Sequence, residues 1–194
     1  MKKEEQSALD AIFENNPKQD KIDRLYLRMA FIWSENSYAI RRQVGCLIVK
    51  NNSIISDGYN GTPSGFPNVC EYAVAPDEGQ SYCTSDNRDE ILEKAKEGWN
   101  LISYPMVLHA ESNAIAKLAK SGNSSEGATI YITDEPCIDC AKLIIQAGIK
   151  RVVFAREYRK HDGIELLNQA NIIVKQISES QWQLKIKQNA SKRQ

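Results

Sequence analysis

The chain has 194 residues, enough to bury one sizeable core, so a single domain is expected, with room for an elaborated loop or tail. Its 25 Lys+Arg balance 25 Asp+Glu, which argues against a protein-wide basic surface of the kind that binds nucleic acid. The N-terminus, MKKEEQSALD, lacks a signal-peptide pattern, and no apolar run reaches membrane-spanning length, so the chain reads as cytoplasmic with no membrane partner. Its five cysteines (46, 70, 83, 137 and 140) are then expected as thiols or metal ligands and not as a disulfide frame.

In chain order, residues 20–35 (DKIDRLYLRMAFIWSE) place Ile22, Leu25, Met29 and Ile32 at helical spacing, with Asp20 as the cap. GCLIVKNNSIISDGY gives two apolar runs joined by Lys50-Asn51-Asn52, a β-hairpin pattern. Residues 62–106 are rich in Gly, Pro, Asp and Asn and too long for an ordinary connection, so they read as an insertion with a functional, regulatory meaning. Within it, RDEILEKAKEGW is expected as a short helix. A helix opens at His109 and runs to about Lys120, ATIYIT (128–133) is a buried strand, and Cys137 to Ala147 is a helix stopped by Gly148. KRVVFA, GIELLNQA and IIVKQI follow as strand, helix and strand, and 178–194 as a polar tail. Helices alternating with buried strands in the second half imply parallel pairing there, hence a mixed sheet in an α/β sandwich.

Two short motifs carry the chemistry. HAE places His109 two residues before Glu111, and PCIDC places Cys137 and Cys140 three apart. On a regular helix positions 109 and 111 lie about 200° apart, so they converge only at a helix entry. Pro136 sets the cysteines in a first helical turn, where the positive helix end favours the thiolate. One imidazole and two thiolates suit Zn²⁺, and three protein ligands leave a fourth position for water. The cysteines alone fit equally well a structural zinc site closed by Cys46, Cys70 or Cys83. Glu111 weighs toward catalysis, because a carboxylate there can move a proton between that water and a substrate.

His109-Ala110-Glu111 followed by Pro136-Cys137-Ile138-Asp139-Cys140 resembles the signature of the zinc-dependent nucleobase deaminases. With HAESNAI, GYNGTPSG and PCIDCAKLIIQAGIK, residues 20 to 175 resemble the cytidine and deoxycytidylate deaminases, in the branch acting on the nucleotide dCMP. The resemblance implies a three-layer α/β/α sandwich with a mixed five-stranded sheet. It also implies His109, Cys137 and Cys140 as zinc ligands and Glu111 as proton shuttle, with attack of activated water at C4 of cytosine and departure of ammonia. Around the substrate it implies Asn60 and Ala110, with Tyr158 either stacked on the base or packed internally. Arg41 and Arg42 suit the 5′-phosphate, since guanidinium groups bind phosphate in a bidentate way, and Lys120 is a second candidate that reaches a neighbouring subunit's site. Ser112 and Asn113 are expected to support the site by hydrogen bonds.

The same resemblance implies a homo-hexamer activated by dCTP and inhibited by dTTP, with Mg²⁺ accompanying the effector and Asn60 and Gly61 contacting it. Cys70, in NVCEY, resembles a ligand of a second zinc found in some phage relatives, but Ala39 stands where a further cysteine would be expected. No second zinc is therefore expected, and Cys46, Cys70 and Cys83 are read as free thiols. Two other classes stay open. A tRNA or single-stranded nucleic-acid editing deaminase needs a positive channel and stacking aromatics, against which neutral net charge and 8% aromatic content count. Glu111 counts against a non-catalytic zinc module.

Overall fold

The computed structural model describes residues 16–77 and 81–180. Its elements are α1 (Pro17–Ser34), β1 (Gly45–Lys50), β2 (Ser53–Tyr59), β3 (Glu71–Val74), β4 (Tyr82–Cys83), α2 (Arg88–Lys96), β5 (Asn100–Ser103), α3 (Ala110–Leu118), β6 (Thr129–Asp134), α4 (Ile138–Gln146), β7 (Arg151–Arg156), α5 (Asp162–Gln169) and β8 (Ile173–Gln176). Five strands form a mixed sheet in the order β2-β1-β6-β7-β8. β1 runs antiparallel to β2 and β6, whereas β6, β7 and β8 are parallel. Parallel neighbours need a crossover, and α4 and α5 supply the two that this order requires. The hairpin turn at Asn51 and Asn52 has φ of 52° and 61°, the left-handed pair that a two-residue turn between twisted strands favours.

The sheet is buried on both faces, and its strands alternate between two cores. Cys46, Ile48, Ile130, Ile132 and Val152 face α3, α4 and α5 through Ala110, Ala114, Leu118, Ala141, Ile144 and Leu167. Leu47, Val49, Tyr131 and Val153 face α1 through Leu27 and Ala30. The result is the expected three-layer α/β/α sandwich. The described part of 62–106 is more regular than its composition suggests: β3 pairs with β4 and β5 in a second, three-stranded sheet, and Val69, Ala73 and Ile91, the last from α2, form a small core of their own. Strands of two and four residues are too short to show alternation, whereas the helix at Arg88–Lys96 falls where expected. Most of the polar tail, 181–194, lies outside the described residues.

Helix α1 differs from the sequence reading in two respects. Its cap is Asn16, whose side chain accepts from the Lys18 and Gln19 amides, while Asp20 pairs with Arg24 and Lys175. Its buried face is Asp23, Leu27, Ala30 and Ser34, and the apolar residues Leu25, Met29 and Ile32 are 46%, 44% and 63% exposed. The physical reason is Asp23. It is fully buried and receives a bidentate Arg151 guanidinium at 2.8 and 2.6 Å, with the Tyr131 hydroxyl at 2.9 Å and the Gln19 amide at 2.9 Å. A buried carboxylate held by this many donors fixes which side of the helix meets the sheet.

Burial by itself raises the Asp23 carboxyl, but the Arg151 hydrogen bonds and charge outweigh it and hold the group below its ordinary value. A depressed folded pKa gives stability that is fully present above the unfolded value of about 3.9 and is lost as pH falls through the folded one. Asp23→Ala leaves the Arg151 charge buried without this partner and is expected to cost about 3–5 kcal/mol in urea unfolding at pH 7. The variant should also show a weaker acid limb than wild type. A change below about 1 kcal/mol would contradict the account of the pair.

Candidate active site

His109 and Cys137 are the residues that begin α3 and α4. Each has an extended backbone, with φ/ψ of −71°/157° and −69°/170°, so each side chain leaves beyond the end of its helix. Cys140 lies in the first turn of α4. His109 Nδ1 lies 3.5 Å from Cys137 Sγ and 3.4 Å from Cys140 Sγ, and the three donor atoms all fall within 4.8 Å of one another. A tetrahedral zinc with S and N ligands at about 2.3 and 2.0–2.1 Å has an N···S edge of about 3.6 Å, so the donor triangle fits the ion. Among the described residues this is the one group of His, Cys, Asp and Glu side chains with that character. Cys46, Cys70 and Cys83 are free thiols outside it.

The Cys140 hydrogen bond pulls the Cys137 thiol down to about 4 against the opposing effect of burial, and His109 adds to the pull. Cys140 moves the other way, raised by its bond to Cys137, by burial and by nearby Glu111. Thiolate is the form of cysteine that a divalent cation binds, so metal binding at the pair would release protons.

Glu111 follows in the first turn of α3, 4% exposed. Burial pushes its carboxyl up to about 7, the range in which a group both accepts and returns a proton near neutral pH. Its side chain lines a cavity of about 340 Å³ together with His109, Ala110, Cys137, Arg41, Arg42, Asn60 and Tyr158. That volume is within the range of small-molecule sites, and the cavity opens at the carboxyl ends of β6 and β7, where ligands of open α/β sheets sit.

The structure thus brings together nearly all the expected residues and refines several. Asn60 Oδ1 accepts from the Val44 amide at 2.8 Å and its Nδ2 donates to the Arg42 carbonyl at 2.9 Å, so this amide holds the wall that carries Arg41 and Arg42. The Arg42 guanidinium itself is paired with buried Asp134, which also receives Arg156 at 2.6 Å. Arg41, Arg42, Arg88 and Arg156 line an adjoining cavity of about 370 Å³. Asn113 Nδ2 donates to the Tyr59 carbonyl at 2.9 Å, and the Ser112 hydroxyl to the His109 carbonyl at 2.9 Å, so both support the site as expected. Gly61 bridges to Leu108, fastening the GYNG loop to the entry of α3.

Lys120 is not in the catalytic cavity. It lines a separate cavity of about 520 Å³ with Lys117, Tyr59, Gly61 and Phe66. Residues missed in the sequence are Glu71, Asp134, Glu135 and Arg159, all lining the catalytic cavity. Glu71 accepts from the Ile40 and Arg41 amides at 3.1 and 3.3 Å and so shapes the same arginine-bearing segment. For Asp134 and Glu135 a signal existed: two acids lie between a buried strand and the Pro-Cys that starts a helix.

Residues 20–156 match the family described as the cytidine and deoxycytidylate deaminase zinc-binding region. The deoxycytidylate deaminase of Enterobacteria phage T4 is 38% identical over 167 residues, covering 73% of this chain and 86% of the phage protein. That of Homo sapiens is 36% identical over 141 residues, 72% of this chain and 67% of the human one. Among solved structures, the dCMP deaminase of cyanophage S-TIM5, crystallised with dCMP and dUMP, is 36% identical with a TM-score of 0.65, covering 84% of this chain and 99% of that one.

Metal analysis of the purified protein should find about one tightly held zinc per chain. Cys137→Ala should lose it. Unchanged zinc content in that variant would overturn the ligand assignment.

Proposed function

The chain belongs to the cytidine and deoxycytidylate deaminase family, and on that premise we propose that it hydrolyses dCMP to dUMP and ammonia. The observation that carries this reading is buried Glu111 beside the His109, Cys137 and Cys140 triangle, with Glu111, His109 and Cys137 lining one cavity of about 340 Å³. Zinc held by those three residues would polarise a water and lower its pKa. Glu111 accepts the proton of the attacking water, returns it to N3 of the cytosine ring, and then serves the departing amine. Water adds at C4 and the amino group leaves as ammonia, so the balance is dCMP plus water to dUMP plus ammonia.

Arg41 and Arg159 line the cavity without an ion-pair partner among the described residues and suit the 5′-phosphate, whereas Arg42 would have to share itself with Asp134. The base would lie toward Ala110 and Tyr158, with Asn60 at the sugar. Lys120 would act only in the second cavity or across a subunit boundary. The product would supply dUMP for thymidylate synthesis in the cytoplasm. Among the described residues no helix is long and apolar enough to cross a membrane. The exposed α1 stripe of Leu25, Met29, Ile32 and Trp33 favours self-association, which agrees with a hexamer. dCTP and dTTP, with Mg²⁺, would meet the loop at Asn60 and Gly61, which adjoins both cavities.

Ammonia release is to be measured across dCMP, CMP, deoxycytidine, cytosine, guanine and a tRNA anticodon stem. dCMP should be preferred, with deoxycytidine much poorer. Equal rates on the two would remove the nucleotide reading. Glu111→Gln should keep zinc and fold while turnover drops by a factor on the order of 10³ or more, and activity within a few-fold of wild type would exclude Glu111 as the shuttle.

In a dCMP saturation series with Mg²⁺, dCTP and dTTP should shift the curve in opposite directions by biasing two states. Superimposable curves would remove the regulatory claim and leave the chemistry intact.

A further inference from the structure

Glu135 is a buried carboxylate at the rim of the catalytic cavity that the chemistry above does not use. Its side chain is 1% exposed, so its acceptor sites must be filled by protein donors. All of those donors come from one segment. Glu135 Oε2 accepts from the Tyr158 amide at 3.1 Å, and both carboxylate oxygens lie 3.0 Å from His161 Nδ1, which donates to them. The Glu135 amide donates in turn to the Arg156 carbonyl at 2.8 Å. One residue therefore holds the end of β7 and two points of the connection that leads to α5.

That connection carries Tyr158 and Arg159, both lining the catalytic cavity. Among the described residues neither the Tyr158 hydroxyl nor the Arg159 guanidinium makes a hydrogen bond or ion pair, so both are available to a ligand. An aromatic ring and a guanidinium are the two groups that meet a base or sugar and a phosphate. The far end of the connection is also fixed, because a Cβ at Gly163 would lie 2.1 Å from the Pro136 carbonyl oxygen. The first turn of α5 therefore rests directly on the start of the metal-bearing helix, and only the Tyr158–His161 stretch depends on the carboxylate.

We infer that Glu135, with His161 as its outer partner, is a positioning residue that sets Tyr158 and Arg159 against the nucleotide. It does so without touching the reacting atoms. The inference rests on the deaminase reading for its kinetic arm alone. Its consequence is a separation of effects: removing the carboxylate loosens the wall that recognises substrate but leaves the proton shuttle and the metal ligands in place.

The test uses the zinc-loaded full chain and four variants, Glu135→Ala, Glu135→Gln, His161→Ala and Arg159→Ala, with the Glu135→Ala/Arg159→Ala double. Amide hydrogen exchange over 157–161 should quicken at least about ten-fold in Glu135→Ala and His161→Ala. It should be largely restored in Glu135→Gln, whose amide oxygen still accepts from Tyr158. The KM for dCMP should rise roughly ten-fold in Glu135→Ala and His161→Ala while kcat stays within about three-fold and zinc content is unchanged. The double variant should show no greater rise than the larger single, because Arg159 acts through the same wall.

Unchanged exchange and unchanged KM in Glu135→Ala would overturn the inference. So would a fall in kcat accompanied by zinc loss, which would assign Glu135 to the metal helix instead. If Glu135→Ala does not fold, His161→Ala decides by the same readings. A wild type that releases no ammonia from dCMP would refute the substrate reading, and the exchange measurement would still decide the positioning claim.

Discussion

The site exists only if two helix starts meet, because all three candidate metal donors sit at helix entries. His109 and Cys137 each precede a helix with an extended backbone, and Cys140 follows in the first turn. Two close approaches bring these entries together. A Cβ at Gly58 would lie 2.1 Å from the Ala110 carbonyl oxygen, and one at Gly163 would lie 2.1 Å from that of Pro136. Without a side chain at either position, β2 presses against the first turn of α3 and α5 presses against the start of α4. The sheet then fixes the remaining distance, since α3 and α4 share one core over β1 and β6.

Electrostatics follow from that placement. Two helix N-termini aim partial positive charge at the point where two sulfurs converge, which favours thiolate and the cation that thiolates bind. Glu111 shares the entry of α3 but is nearly fully buried at the cavity wall, and burial lifts its carboxyl toward neutrality. His109 and Glu111 thus differ sharply in exposure, although they lie only two residues apart in the chain. Around them acids serve as scaffolding: Glu71 holds Ile40 and Arg41, and Asp134 holds Arg42 and Arg156.

The clustering of His109, Cys137 and Cys140, with Glu111 beside them, was legible in the sequence because HAE and PCIDC are local patterns whose spacing has a direct geometric meaning at a helix start. The hairpin and the alternating second half were legible for the same reason, since period and turn chemistry are short-range. Burial of α1 was not. Its apolar stripe at Leu25, Met29 and Ile32 points outward because a partner 128 residues away, Arg151, draws Asp23 inward. Lys120 sits near the motif in sequence but faces another cavity, and Glu135 gains its meaning only from Tyr158 and His161 across the sheet. Long-range charge pairing is what the linear pattern cannot carry.

The central claim is that this zinc site keeps a position open for water, which separates a catalytic centre from a structural knuckle. Zinc K-edge X-ray absorption of the metal-loaded protein reads this directly. The account predicts two sulfurs at about 2.3 Å, one imidazole nitrogen at about 2.0–2.1 Å and one solvent oxygen. A coordination sphere closed by a third sulfur, from Cys46, Cys70 or Cys83, would contradict it.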